Sequence, residues 1–157
     1  MRTLQNRIAV VTGGSRGIGR AIALELAADG VTLALVRRDH DKLGETAIEA
    51  QRLGAEAAIF VVDITKENEI RGLEHEIRSG LGRVDILVNS AGMNMRKPLV
   101  EFTLDEWRTV LDTNLTSVFL MCRSLVPLMR GRGYGRIINL ASTMSHVSVE
   151  YYIDEQS

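Results

Sequence analysis

The octet TGGSRGIG, residues 12–19, joins an apolar segment typical of a β-strand at residues 7–11 to a helical pattern over residues 18–28. Glycines at positions 13, 17 and 19 leave room for a tight turn and for the close approach of a pyrophosphate, whose charge the free amides at a helix start stabilise. A glycine-rich turn can also serve only to redirect the chain. The octet therefore predicts a phosphate-binding loop, and its sequence context has to decide between these two interpretations.

The composition is that of one soluble globular domain, with 157 residues, 45% of them hydrophobic, and a net charge of −1. Basic residues are spread along the chain, which gives no electrostatic footprint for nucleic acid or an anionic membrane. No apolar run is long enough to cross a bilayer, and residues 1–6 lack the apolar core of a secretory signal. We therefore expect a cytoplasmic protein that binds neither nucleic acid nor a membrane.

Cysteine and histidine give no sign of a disulfide or a metal site. Cys122 is the single cysteine, and it lies in an apolar helical stretch where a thiol packs as a small hydrophobe. The three histidines, His40, His75 and His146, have no partners at metal-ligand spacing. We expect a reducing compartment and no metal.

Five short apolar segments rich in Val, Ile and Leu predict five β-strands, at residues 8–11, 31–36, 57–62, 84–88 and 136–140. Their apolar residues do not alternate with polar ones, which is typical of parallel strands covered on both faces. Helical patterns separate the strands, at residues 18–28, 41–53, 66–78 and 104–130. This alternation predicts an α/β fold with a doubly wound parallel sheet. Gly30, Gly54 and Gly80 follow the first three helices, where a left-handed cap is easiest for glycine.

The last helical pattern, at residues 104–130, starts with a capping-box spacing, Thr103 followed by Glu106. Pro127 is expected to bend or tighten its last turns. Its large apolar side chains recur at helical spacing, which indicates packing against the core or against a partner helix. They are Trp107, Val110, Leu111, Val118, Phe119, Met121, Leu125 and Met129. An oligomer formed through this helix is one expectation.

Further motifs follow the octet in order along the chain. They are VVDI at 61–64, NSAG at 89–92, Asn114, and IINLAS at 137–142. Together with the octet, these motifs resemble the short-chain dehydrogenase/reductase family over about residues 6–149. The resemblance implies a Rossmann-like fold and an oxidoreductase that transfers a hydride between a nicotinamide dinucleotide and a carbonyl or alcohol.

The resemblance also implies roles for individual residues. The glycine loop would line the pyrophosphate, Asp63 would accept from the adenine amino group, and residues 89–92 would pass beside the ribose. The candidate cofactor-binding residues are Gly13, Ser15, Arg16, Gly17, Ile18, Gly19, Arg37, Arg38, Asp63, Ile64, Asn89, Ala91 and Gly92. Local alternatives stay open, because Asp63 can cap the next helix and residues 89–92 can form a turn of purely structural value.

The end of the second predicted strand bears on the choice of cofactor. Family members that use NAD commonly carry an acid there, whereas this chain has Arg37 and Arg38, with Arg16 nearby in the loop. Arginines bind a phosphate through charge-assisted hydrogen bonds of about 1.5 to 3 kcal/mol each. NADP(H) is therefore expected in preference to NAD(H). In the alternative, both arginines are solvated and Asp39 or Asp41 binds the ribose.

The catalytic set implied by the resemblance consists of Asn, Ser, Tyr and Lys. The serine orients the substrate, the tyrosine exchanges the proton, and the lysine lowers the tyrosine pKa from about 10. Asn114 and Ser142 match the first two positions. Each also has a structural alternative, as a satisfied polar group in a helix and as a turn residue at a strand end.

The Tyr-x-x-x-Lys pattern of the family is absent. Four positions after Tyr151 and Tyr152 come Glu155 and Gln156. We therefore expect a partial domain at residues 1–149, truncated or frame-shifted before the tyrosine and lysine, with an unrelated polar tail at residues 150–157. Such a chain would be inactive alone, and the alternative function is a non-catalytic NADP(H)-binding remnant or interaction module.

The substrate is suggested only by residues 91–98. This stretch resembles the gluconate 5-dehydrogenase group, which implies a sugar acid, while acyl-carrier-protein reductases are similar overall and imply an oxoacyl substrate.

Overall fold

The computed structural model describes residues 4–38 and 41–142. Several predicted positions lie outside the described residues: Asp39, His40, His146, Tyr151, Tyr152, the side chain of Asp41, and the boundary between residues 149 and 150.

A parallel sheet of five strands, in the order β3-β2-β1-β4-β5, forms the centre of the described part of the chain. The strands are β1 (Ile8–Thr12), β2 (Thr32–Arg37), β3 (Ala57–Val61), β4 (Ile86–Asn89) and β5 (Arg136–Asn139). The chain builds outward from β1 to β3 and then crosses over β1 to continue with β4 and β5. This order confirms the predicted doubly wound, Rossmann-like sheet, and its direction reverses between β1 and β4, where such folds bind ligands.

Helices cover both faces of the sheet. They are α1 (Gly17–Ala28), α2 (Asp41–Arg52), α3 (Glu67–Gly80), α4 (Leu104–Leu111) and α5 (Ser117–Leu125). Alternate residues of β1 enter two separate cores: Ala9 and Val11 pack with α1 and α2, while Val10 packs with α3 and α5. Because both faces are buried, the strands read as continuous apolar runs.

The predicted helix over 104–130 contains two irregular turns. Asp112–Thr116 is a π-helical segment between α4 and α5, and Val126–Met129 is a 3₁₀ turn after α5. Pro127 lies in that last turn, where its missing amide ends the α-helical ladder. The predicted capping box is confirmed, since Thr103 Oγ1 accepts from Glu106 N at 3.2 Å and Glu106 Oε2 accepts from Thr103 N at 2.8 Å.

One of the three predicted glycine caps is wrong. Gly30 and Gly54 have φ values of +83° and +85°, as expected for left-handed caps. Gly80 instead ends α3 itself, and Gly82 takes the left-handed conformation, with φ +76°. Its amide donates to the carbonyl oxygen of Ile77 at 2.9 Å, so the helix closes two residues later than the sequence pattern indicates.

The apolar residues of the 104–130 segment divide between core and surface. Met121 and Leu125 are fully buried, whereas Trp107 is 49% exposed and Phe119 58%. The expectation of core packing therefore holds for only part of this set, and the predicted oligomer stays a prediction. Within the described residues, no helix is long and apolar enough to span a membrane.

A buried carboxylate holds the amino ends of the central strands together. Asp85, which is 1% exposed, accepts hydrogen bonds from Arg7 Nη1 at 3.1 Å, from Arg83 Nε at 3.0 Å and from the Ile8 amide at 2.9 Å. Removing one partner of such a buried pair leaves an uncompensated charge, so the cluster fixes β1 against β4 at the edge opposite the carboxyl ends.

Candidate functional site

A cavity of about 400 Å³ lies at the carboxyl ends of the strands, beside the start of α1. Its lining comes from the glycine loop, the end of β2 and the segments that follow β3 and β4. All of the predicted cofactor-binding residues except Asn89 line it: Gly13, Ser15, Arg16, Gly17, Ile18, Gly19, Arg37, Arg38, Asp63, Ile64, Ala91 and Gly92. The structure thus brings together residues that the sequence spreads over 80 positions, from Gly13 to Gly92.

Two glycines of the loop are required by close packing. Gly13 has φ +68°, and a β-carbon there would lie 2.9 Å from the Cα of Ala91. At Gly19 a β-carbon would lie 2.5 Å from the carbonyl oxygen of Gly13 and 2.7 Å from Ser90 Oγ. Both positions therefore allow β1, α1 and the segment after β4 to approach one another.

Gly17 has a different role in the same loop. Its φ is +55°, yet a β-carbon there would meet nothing within 4 Å, and the residue lines the cavity. Arg16, the residue before α1, gives no side-chain cap, so the first amides of the helix keep their donors for a ligand. A positively polarised helix start beside open space suits an anion.

Thr12 links the loop to the segment after β4. Its Oγ1 accepts from the amides of Ser90 and Ala91, each at 3.1 Å, and donates to the carbonyl oxygen of Val88 at 3.4 Å. The residue is 1% exposed, so this hydroxyl is a structural bridge beneath the cavity. The sequence shows a threonine before the glycines, but it does not reveal that this threonine bonds to the segment after β4.

Asn89 lies beneath the cavity and is not part of its lining. It is 4% exposed, and its Nδ2 donates to Asn139 Oδ1 at 2.8 Å across β4 and β5. The Asn89 side chain thus has a partner within the protein, and its direct contact with a cofactor stays a prediction.

Three arginines give the β2 side of the cavity a positive charge. Arg37 Nη1 donates to Ser15 Oγ, Arg38 is 68% exposed in its side chain, and Arg16 is also exposed. Among the described residues that line the cavity, one carboxylate faces them, since Asp63 Oδ2 lies 4.0 Å from Arg38 Nη1. The excess of positive charge favours a ligand with more than one phosphate group.

Asp63 is held as an ionised group. Burial alone would raise its pKa, but hydrogen bonds from the amide and hydroxyl of Thr65 and the charges of Arg38 and Lys66 outweigh burial and lower the pKa below its ordinary value. The Asp63 carboxylate accepts from the Thr65 amide within a turn that precedes α3, because α3 starts only after Lys66. The carboxylate therefore caps that turn and not the helix.

Asn114 and Ser142 lie outside the cavity lining. Asn114 belongs to the π-helical segment, and its side chain pairs with Met93: Oδ1 accepts from the amide at 2.9 Å and Nδ2 donates to the carbonyl at 2.8 Å. Ser142 is exposed and follows β5 by three residues, while Leu140 from the same segment lines the cavity.

The other lining residues were not predicted individually as site residues. They are Val36, Val62, Thr65, Ser90, Met93, Thr113 and Leu140. Five of them, Val36, Val62, Thr65, Ser90 and Met93, are chain neighbours of predicted cofactor-binding residues and could have been included on that ground. Thr113 and Leu140 join them only through tertiary packing. Among the described residues, no three His, Cys, Asp or Glu side chains are grouped so that they could bind a metal.

The fold and the glycine loop are those of the Rossmann-like class of proteins, and sequence comparison identifies the family. The chain belongs to the short-chain dehydrogenase family, whose sequence model matches residues 7–153. This confirms the resemblance that the motifs carry.

Relatives and solved structures agree with this membership. The chain is 38% identical over 138 residues to a 3-oxoacyl-acyl-carrier-protein reductase from Staphylococcus epidermidis, covering 87% of this chain and 57% of the relative. It is similar to a metagenomic short-chain oxidoreductase solved in complex with NADP, with a TM-score of 0.88, 35% identity, and coverage of 93% of this chain and 66% of the other.

A third similar structure is the L-sorbose reductase from Gluconobacter frateurii, solved with NADPH and L-sorbose. Its TM-score is 0.81 and its identity 33%, with 85% of this chain and 51% of the other covered. The chain spans 46% to 61% of the length of three further curated relatives that it matches.

Proposed function

We propose that the cavity binds NADP(H) and that the protein is an NADP(H)-dependent oxidoreductase acting on a carbonyl or alcohol. The observation that carries this proposal is a single cavity lined by the glycine loop, by three arginines and by Asp63. When bound, the nicotinamide ring supplies or accepts the hydride; the residues described here bind and orient the rest of the molecule.

The residues present fit the dinucleotide. The open space at Gly17 and the uncapped amides of α1 suit the pyrophosphate, and an ionised Asp63 suits an amine donor such as that of adenine. Arg37 and Arg38 suit an additional phosphate on the ribose. The NADP and NADPH found in two similar structures support the same preference.

Direct titration tests the cofactor proposal. Calorimetry of the protein with NADPH and with NADH is expected to give saturable binding of both, with NADPH bound more tightly. Equal affinity for the two would contradict the proposed role of the arginines, and no heat from either would contradict dinucleotide binding altogether.

The substrate is proposed to be a sugar, a sugar acid or an oxoacyl compound. Residues 91–98 support a sugar acid by resemblance. The relatives named as L-sorbose reductase and 3-oxoacyl-acyl-carrier-protein reductase support a sugar and an oxoacyl compound. Oxidation of NADPH, followed at its nicotinamide absorbance with a panel of keto sugars, keto acids and oxoacyl thioesters, tests it. Turnover with any member of the panel that is lost in Ser142→Ala would support a role of Ser142 in orienting the substrate.

A second candidate function is dinucleotide binding without turnover. Among the described residues that line the cavity, none is tyrosine or lysine. Tyr134 lies at the opposite edge of the sheet, where the guanidinium carbons of Arg7 and Arg136 are 3.9 Å and 4.7 Å from the centre of its ring. Saturable NADPH binding with no oxidation across the whole panel would favour this second function.

A further inference from the structure

The two carboxylate oxygens of Asp63 have different surroundings. Oδ1 accepts two hydrogen bonds from Thr65, one from the amide at 3.0 Å and one from Oγ1 at 2.7 Å. Within the described part of the chain, Oδ2 has only the Arg38 guanidinium, at 4.0 Å. Since Asp63 and Thr65 both line the cavity, Oδ2 is the oxygen that is left for a ligand.

The backbone around Asp63 is held as firmly as its side chain. The Asp63 amide donates to Glu69 Oε2 at 2.7 Å, and the Asp63 carbonyl oxygen accepts from the Lys66 amide at 2.9 Å. With the main chain fixed on both sides, the remaining freedom of the carboxylate is rotation about the Cα–Cβ and Cβ–Cγ bonds of Asp63. Thr65 restrains that rotation, because its two donors both point at one oxygen.

We propose that Thr65 is a positioning residue that orients Asp63 so that Oδ2 faces the base of the dinucleotide, and that it thereby makes the site selective for adenine over hypoxanthine. The inference rests on the proposed dinucleotide function. Adenine presents an amino group at the position where hypoxanthine presents a carbonyl oxygen, so one base donates where the other accepts. An ionised carboxylate can only accept, and it therefore pairs with the amine and repels the carbonyl.

The substitution Asp63→Asn makes this orientation visible. A carboxamide has one accepting oxygen and one donating nitrogen. The Thr65 amide can only donate and requires the oxygen, and the Thr65 hydroxyl adds a second hydrogen bond to that same oxygen. The nitrogen is then left for the ligand, where it donates to the carbonyl of hypoxanthine and not to the amine of adenine. Asp63→Asn should therefore reverse the preference, and it should do so only while Thr65 selects the orientation of the amide.

The experiment compares two ligands on each variant by calorimetry: NADP and nicotinamide hypoxanthine dinucleotide phosphate. Wild-type protein is expected to bind NADP about tenfold more tightly, the effect of one charge-assisted hydrogen bond gained or lost. Asp63→Asn is expected to prefer the hypoxanthine dinucleotide. Asp63→Asn combined with Thr65→Val keeps the backbone amide donor but lacks the hydroxyl, so it should lose part of that reversed preference. Asp63→Asn with Thr65→Ser, which keeps the hydroxyl, should retain it.

The ratio of two affinities on one variant does not depend on the folded fraction, because misfolding lowers both equally. Thr65→Ala gives a second way of removing the hydroxyl if Thr65→Val folds poorly. A reversed preference that survives the loss of the Thr65 hydroxyl undiminished would overturn the positioning role. Equal wild-type affinity for the two ligands would overturn the inference but leave dinucleotide binding intact, and failure to bind either would overturn both.

Discussion

The carbonyl oxygen of Gly13 lies 2.5 Å from where a β-carbon of Gly19 would be. This contact joins the first turn of the loop to the first turn of α1, and any side chain at position 19 has to move the backbone of one of them. The glycine at this position is thus explained by contacts within the protein, before any ligand is considered.

Gly19→Ala is therefore expected to destabilise the protein by about 1 to 3 kcal/mol, as overpacking of a rigid backbone does. Urea unfolding measures the free energy, and NADPH binding should fall with it because the loop is displaced. Gly72→Ala is the matched control, since Gly72 lies in α3 and a β-carbon there meets nothing within 4 Å. It should be neutral or stabilising by up to about 1 kcal/mol. Equal stability of the two variants would show that the loop relaxes freely.

Gly17→Ala separates backbone strain from ligand contact. Its φ of +55° is strained for alanine, at a cost of about 1 to 2 kcal/mol. Gly133→Ala carries the same kind of strain, with φ +68° and equally open space, and Gly133 does not line the cavity. We expect similar losses of unfolding free energy from both, but a loss of NADPH affinity from Gly17→Ala alone. Unchanged NADPH affinity in folded Gly17→Ala would argue against a phosphate at this position.

Arg38→Ala tests the recognition of the extra phosphate. Loss of one charge-assisted pair should weaken NADPH binding by about tenfold to a hundredfold, with NADH affinity little changed. Arg52→Ala is the control, because Arg52 is exposed at the end of α2 and does not line the cavity. The affinities are measured by calorimetry at one salt concentration. A parallel loss for NADH would mean that Arg38 acts on a part common to both cofactors.

Glu106 provides a pH-dependent contribution to stability. The ion pair with Lys97, whose Nζ lies 2.6 Å from Oε2, and the hydrogen bonds from Thr103 lower the pKa of Glu106 from 4.5 to about 2. Because the folded-state pKa is the lower one, this contribution is complete above about pH 5 and is lost as the pH falls towards about 2.

Glu106→Gln should therefore have a lower thermal midpoint than wild type near neutral pH, and the difference should shrink on acidification. Asp105→Asn is the control, since the neighbouring carboxylate is 91% exposed and, within the described part of the chain, contacts Arg108 alone, at 3.4 Å. A difference between wild type and Glu106→Gln that is independent of pH would contradict the charged pair as its cause.

Much of the fold follows from local sequence. Val10 and Val11 are both fully buried, which is why β1 reads as an uninterrupted apolar run and predicts a strand covered on both faces. The capping box at Thr103 and the left-handed glycines at 30 and 54 depend only on neighbouring residues, so the local sequence was sufficient to predict them.

The remaining features depend on contacts that the sequence does not display. Gly80 and Gly82 are equally suited to a cap by residue type, and it is Gly82 that takes the left-handed conformation. The π-helical segment at Asn114 has the composition of an ordinary helix, and the side chain of Asn114 pairs with Met93, 21 residues away. Asn89 has a partner 50 residues away, so its burial beneath the cavity could not be derived from the motif alone.

The hydroxyl of Thr12 accepts from the amides of Ser90 and Ala91, which lie 78 and 79 positions further along the chain. A protein is synthesised from its amino terminus, and contacts between distant residues form late because loop closure has to come first. The glycine loop is among the first segments to leave the ribosome, yet its final shape requires the strand made about 80 residues later. The glycine loop is therefore synthesised early but takes its final shape late in folding. Over that interval the β1 strand of a nascent chain lacks its β4 partner, and the loop cannot yet bind a nucleotide.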